Sequence, residues 1–260
     1  MNLQSIMLFA PAESSVADRG PSAYAIAIAR AHNARLTIFV VNLDVTTPGR
    51  EADPRQVAAG IGDAAAEAGV DHVTITEHSH AIGIHEVVAE HARHHDCTIL
   101  GSGNLGVLTE KILIEHLLFF SGRPLVVVPQ DYRGGAPQGV TAVAWDNTPA
   151  AARALGDAKP MIGDRPMVFL TIDGDKQLQG DLSGDKIIAA AERRGLNASA
   201  ASAERGSRNI ADALQQESKA LGADLLVMGG YGHSTLRRIV LGSATASILN
   251  GPRMPVLLSH

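Results

Sequence analysis

The chain repeats itself, and that repetition constrains its folding more than any single motif. "DCTILG" (Asp96–Gly101) resembles "DLLVMG" (Asp224–Gly229), 128 residues further on. "GRPLVVVP" (Gly122–Pro129) resembles "RMPVLLS" (Arg253–Ser259), and "ARLTIFVVN" (Ala34–Asn42) resembles "DRPMVFLTI" (Asp164–Ile172). Three matches in the same order argue for a duplicated domain. The 260 residues then divide into two units of about 130 each, a comfortable size for one core apiece. The joint falls in "QDYRGGAPQG" (Gln130–Gly139), a Gly/Pro/polar stretch between two apolar runs. The expected domains are residues 1–133 and 139–260.

Each unit alternates short apolar runs with helical patterns. In the second unit, strands are expected at Val140–Trp145, Met167–Ile172, Ala198–Ala201, Leu225–Met228 and Val256–Leu258. Helices are expected near Pro149–Ala158, Lys186–Arg194 and Asn209–Leu221, with a last helix after Gly242. Apolar residues make up 45% but aromatics only 3%, so Ala, Val, Ile and Leu must fill the core. Continuous apolar strands alternating with helices predict an α/β fold with a parallel sheet covered on both faces.

Charge and cysteine usage exclude several partners. Net charge is −5 and no basic block occurs, so nucleic acid is not an expected ligand. The halves differ: up to Gly134 there are 9 Lys/Arg against 15 Asp/Glu, and after it 13 against 12. The single cysteine, Cys97, rules out an intrachain disulfide framework and fits a reducing compartment. The N-terminus has no basic start, and its apolar run (Ile6–Ala10) is too short for a signal peptide. No apolar stretch reaches membrane-spanning length. A cytoplasmic location and no membrane insertion are the expectations.

The glycines raise the question of a phosphate. "GSGNLG" (Gly101–Gly106) matches the dinucleotide fingerprint, but no acidic residue follows about 20 positions on to hold a ribose. "GGYGHST" (Gly229–Thr235) lacks the lysine of a P-loop. The spacing Gly229-x2-Gly232-x9-Gly242-Ser243 fits neither template. Here the sequence resembles the universal stress protein family, whose ATP-binding members carry G-x2-G-x9-G-(S/T) between the fourth strand and the last helix. The strand ending at Met228 precedes the motif, and "MPVLL" (Met254–Leu258) follows it.

The resemblance covers the whole chain as two tandem family domains. It implies two Rossmann-like (adenine nucleotide alpha hydrolase-like) domains related by a pseudo-twofold. Each would be a five-stranded parallel sheet of order 3-2-1-4-5 sandwiched by helices. It also implies ATP, with Mg2+, bound by the second domain. Asp146, ending "AVAWD", takes the family's place for an aspartate meeting the adenosine, and Ile172 lines the adenine pocket. Gly229, Gly232, Gly242 and Ser243 would hold the phosphates, and Met228, ending the strand before them, would also contact the nucleotide. The physics is coherent: glycines admit close backbone approach, a helix start offers donors and a partial positive end, and an ionised aspartate accepts from a hydroxyl or amino group. The plainer reading makes Asp146 a cap for the helix near Pro149 and the glycines ordinary turn residues. His233 reads as a loop histidine, and Arg237 and Arg238 as a solvated pair.

The first half departs from this pattern. Pro11 and Ala12 stand near the end of its first strand, Asn104 replaces Gly232, and Glu115 and His116 align with Gly242 and Ser243. A carboxylate there would repel a triphosphate, so the first domain is expected not to bind ATP. Nine of eleven histidines lie in this half, including His78, His80, His85, His91 and His95. No carboxylate or cysteine completes a recognisable ligand set, so no metal is expected. No general base stands out, and an enzymatic role beyond weak ATP hydrolysis is not implied. The competing reading is a non-catalytic interaction module carrying a relic motif. An adenylating enzyme ranks third, because "WDNTPAA" (Trp145–Ala151) has no glycine-rich loop after the first strand. Single-domain relatives by this resemblance dimerise through their last strands. The tandem chain is therefore expected to pair Leu125–Val128 with Val256–Leu258 as an intramolecular pseudo-dimer, with a homodimer of whole chains also open.

Overall fold

The computed structural model describes residues 2–12, 20–43, 53–79, 83–102, 107–173, 184–230, 247–249 and 251–260. The chain separates into two compact units, Met1–Ala136 and Pro137–His260.

Unit 1 runs β1 (Ser5–Pro11), α1 (Gly20–His32), β2 (Arg35–Leu43), α2 (Pro54–Glu67), β3 (His72–Ser79), α3 (Ile84–Ala92), β4 (Cys97–Gly101), α4 (Val107–Phe120) and β5 (Leu125–Val128). Its strands lie in the order β3-β2-β1-β4-β5, every neighbouring pair parallel. Unit 2 runs β6 (Val140–Ala144), α5 (Pro149–Ile162), β7 (Met167–Asp173), α6 (Gly184–Glu192), β8 (Ala198–Glu204), α7 (Ile210–Ala220), β9 (Ala223–Gly229) and β10 (Val256–Ser259). Its order is β8-β7-β6-β9-β10, again parallel throughout. Residues 247–249 are helical; most of the helix expected after Gly242 lies outside the described residues.

The central strands are apolar because helices cover both faces. Ile6, Met7 and Leu8 of β1, and Leu225, Leu226 and Val227 of β9, are fully buried. Each such side chain contributes roughly 1.5–3 kcal/mol relative to exposure. Helix α5 shows how sequence sets an element's ends. Thr148 caps it, Pro149 begins it, and Gly163, at φ +61°, ends it. A proline lacks the N–H that a first turn would leave unpaired, and glycine alone takes that positive φ without steric cost. Ala151, Ala154, Leu155, Ala158, Met161 and Ile162 form its buried side.

The repeated aspartate in "DCTILG" and "DLLVMG" has a structural cause. Asp96 Oδ2 accepts from the backbone N–H of Gln4 (2.6 Å) and Ser5 (3.0 Å). Asp224 Oδ2 accepts from Gln138 and Gly139, both at 2.7 Å. Each carboxylate, standing at the foot of its unit's fourth strand, clamps the chain entering the first. Hydrogen bonds to a charged acceptor contribute about 1.5–3 kcal/mol each, less where solvent competes. The duplicated aspartate therefore marks where each sheet starts rather than where it binds anything.

In unit 2 the chain winds from β6 outward to β7 and β8, then returns to the other side for β9 and β10. Strands β6 and β9 flank the point where the winding reverses. Ligands of open α/β sheets bind at such a point, beyond the carboxyl ends of the strands.

Candidate functional site

The carboxyl end of β6 is tied to its neighbour. Trp145 N donates to Leu170 O (2.9 Å), and Thr171 Oγ1 donates to Trp145 O (3.2 Å). The Trp145 ring stands edge-on to Phe169 with centroids 5.5 Å apart. Asp146 is the next residue. Its Oδ1 accepts from Thr148 N (3.1 Å) and from Thr148 Oγ1 (2.6 Å). Thr148 Oγ1 in turn accepts from Ala151 N at 3.2 Å. Asn147, between them, sits at φ +58°, the left-handed region that asparagine tolerates better than most residues. The cap of α5 is thus Thr148 and not Asp146, and Asp146 stands one step further out, holding the cap.

Ile172 belongs to β7, where it pairs with Ala203 of β8. Ala144 pairs with Leu170; carrying that register on sets Ile172 level with Asp146. Ile172 and Met228 are both buried, at 7% and 5% exposure, so their side chains belong mainly to the core. Gly229 ends β9. A Cβ there would fall 2.6 Å from the carbonyl carbon of Ala150 and 2.8 Å from Ala151 N. The end of β9 therefore lies against the first turn of α5, four residues beyond Asp146. Asp146 and Gly229, 83 positions apart in sequence, meet at one helix start. Gly232, Gly242 and Ser243, with His233, Arg237 and Arg238, lie outside the described residues.

Unit 1 repeats the scaffold with different occupants. A Cβ on Gly101 would strike the Gln130 side chain and come within 2.6 Å of Pro21 Cγ. Gly20 N donates to Tyr132 O (3.1 Å), and Tyr132 packs edge-on against Tyr24 with centroids 5.7 Å apart. The segment after β5 thus lies against the start of α1. Ala12 N donates to Val41 O (3.0 Å), as Trp145 N does to Leu170 O. Ile6 of β1 pairs with Cys97 as Thr141 of β6 pairs with Leu225, so counting along the strands makes Pro11 the counterpart of Asp146. Glu115 and His116 fall in the third turn of α4, well inside a helix and not at its start.

His85, His91, His95 and His116 of unit 1 are packed against neighbouring side chains. His116 stacks between His85 and Phe120, with centroids 4.4 Å and 4.3 Å away. Burial, then the nearby His85, holds its pKa below the usual range. His91 lies over Phe39 at 4.6 Å. His95 is buried; Nδ1 meets His91 O and Nε2 meets Thr37 Oγ1, both at 2.9 Å. A carbonyl only accepts, so Nδ1 carries the proton and Nε2 accepts from the threonine hydroxyl. Among the described residues, no group of three or more His, Cys, Asp or Glu is placed to hold a metal ion. Burial pushes the Cys97 thiol up to about 12, so it is neither a thiolate nucleophile nor a ready ligand. No helix among the described residues is long and apolar enough to cross a membrane.

Of the comparisons with known proteins, the family model falls within the second unit. Residues 142–260 match the sequence model of the Universal stress protein family. A universal stress protein of Synechocystis sp. is 28% identical over 163 residues, which cover 60% of this chain. The match spans about half, 51%, of that relative's length. Among solved structures, a universal stress protein from Archaeoglobus fulgidus DSM 4304 is 15% identical with a TM-score of 0.66, covering 97% of this chain and 95% of that one. A protein of unknown function from Pseudomonas aeruginosa PAO1 is 16% identical with a TM-score of 0.59, covering 99% and 92%. At these identities the structural likeness is one of fold.

Two expectations follow from the packing. Gly229→Ala drives a methyl into the backbone of α5, and overpacking of this kind costs about 1–3 kcal/mol. Urea unfolding should show that loss; unchanged stability would mean that β9 does not end against α5. His95 has its pKa held below the ordinary 6.5, burial being the largest cause. The folded state therefore favours the neutral ring, and its stabilising contribution, full above the unfolded value, is lost as pH falls below it. Between about pH 7.5 and about pH 5.5, the wild-type chain should lose more stability in urea titrations than His95→Gln. Equal losses would remove His95 from the acid response.

Proposed function

We propose that this chain, which belongs to the universal stress protein family through residues 142–260, binds ATP in its second unit. One observation carries the reading. At the reversal point of the sheet, where the fold class takes ligands, Gly229 abuts the first turn of α5 and Asp146 bonds the cap of that same helix. The motif that starts at Gly229 continues in sequence through Gly232, Gly242 and Ser243. In this reading Asp146 accepts from the adenosine, and Ile172 and Met228 flank the base and strand end. The glycines and Ser243 offer backbone and hydroxyl donors to the phosphates, with Mg2+ sharing their charge. Unit 1 binds no ATP, because its own residues lie at the start of α1 and its α4 runs unbroken through Glu115 and His116. ATP then serves as a switch in a stress response, with hydrolysis slow or absent, in a cytoplasmic protein.

A second reading has support of its own. Packing against α5 by itself accounts for a glycine at position 229, as it would in a non-nucleotide interaction module that keeps the motif as a relic. Calorimetry separates the two. The first reading expects one ATP per chain, a melting temperature that rises with ATP, and loss of binding in Gly242→Val. At about one hundred times Kd the ligand should add about 2.7 kcal/mol of stability. If no nucleotide is released from the purified chain on heating and ATP leaves the melting temperature unmoved, the second reading stands.

The tandem arrangement carries a proposal about assembly. Unpaired strand edges are a liability, and pairing Leu125–Val128 with Val256–Leu258 would cover two of them in an intramolecular pseudo-dimer. Residues 1–136 and 137–260, produced separately, should then associate in analytical ultracentrifugation. Halves that stay monomeric at high concentration would overturn the pairing.

A further inference from the structure

We infer that Thr148 is the positioning residue that holds Asp146 for the nucleotide; this rests on the ATP-binding reading above. Thr148 is buried, at 9% exposure, and every polar atom it carries beyond its carbonyl is committed to the turn. Its N–H and its hydroxyl proton both go to Asp146 Oδ1, at 3.1 Å and 2.6 Å. A lone pair of the same hydroxyl takes the N–H of Ala151 at 3.2 Å. The hydroxyl thus joins the carboxylate to the first turn of α5, the turn against which Gly229 closes. Two donors on one oxygen fix the rotation of the carboxylate plane. They leave Oδ2, which no donor reaches among the described residues, as the acceptor open to a ligand.

The geometry is set before any ligand arrives. Asn147 at φ +58° folds the chain back so that Thr148 lies beneath Asp146, and Trp145 is bonded to β7 on both its N–H and its carbonyl. A carboxylate held in this way gives up little freedom on binding, which favours affinity. A free aspartate on an exposed loop would have to be ordered by the ligand itself.

A helix cap alone also needs a threonine here, so the test must separate capping from positioning. Four chains are compared by calorimetry with Mg-ATP: wild type, Thr148→Val, Asp146→Ala and the double variant, with Thr148→Ser as the rescue. Valine keeps the shape and removes the hydroxyl. It should weaken ATP binding about tenfold, the scale of a hydrogen bond to a charged group. Serine restores the hydroxyl and should stay within about threefold of wild type. In the Asp146→Ala background, Thr148→Val should cost nothing further, because contacting residues that act as one unit are not additive. Binding by Thr148→Val as tight as wild type overturns the inference. So does an equal loss with and without Asp146, which would make Thr148 a cap and nothing more. A wild-type chain that binds no nucleotide brings down the ATP reading and this inference together, whereas tight wild-type binding with additive losses removes only the inference.

Discussion

The contact between the end of β9 and the first turn of α5 organises the second unit. At Gly229 the strand comes so close to Ala150 and Ala151 that no Cβ fits between them. Because of that approach, the first strand's exit loop and the fourth strand's end share one location. Thr148 caps the helix there, and Asp146 braces the cap. The glycine serves packing first, and any closeness to a phosphate is an additional use of the same small residue.

The two units show how a duplicated scaffold diverges. Both keep the aspartate clamp at the foot of the fourth strand, and both keep a glycine at that strand's far end. The clamp anchors the sheet, so it persists wherever the sheet does. The far end is where they part. In unit 1 Gln130 lies against Gly101 and Tyr132 bonds Gly20, so the segment after β5 packs there. The textual dinucleotide match at Gly101–Gly106 begins at this glycine, whose smallness is explained by Pro21 and Gln130.

Part of the histidine enrichment in unit 1 serves packing. His95 bridges the end of α3 to Thr37 of β2, while His85 and His116 join α3 to α4 through ring contacts. A side chain with an apolar body and two polar nitrogens suits such half-polar seams in a chain with only 3% Phe, Trp and Tyr. Burial lowers the pKa of His95 and His116, because a buried ring is disfavoured in its charged form.

Much of the architecture was legible in the sequence. Apolar runs of four to nine residues, separated by helical patterns and repeated at a fixed spacing, are a local record of which segments are covered on both sides. They placed the strands of unit 2 within a few residues of their observed bounds, with β8 and β9 longer than the apolar runs alone suggested. The motif spacing was legible too, since it depends only on counting. Local pattern could not say that Thr148 rather than Asp146 caps α5. Either residue can accept a helix N–H, and the choice is made by Asn147 turning the chain and by Trp145 being bonded to β7. The sequence by itself determined two α/β units and the candidate residues. Only the tertiary structure decided which elements those residues share and what each glycine touches, because the approach of Gly229 to Ala150 and Ala151, far off in sequence, depends on how strands are ordered and how closely helices approach them.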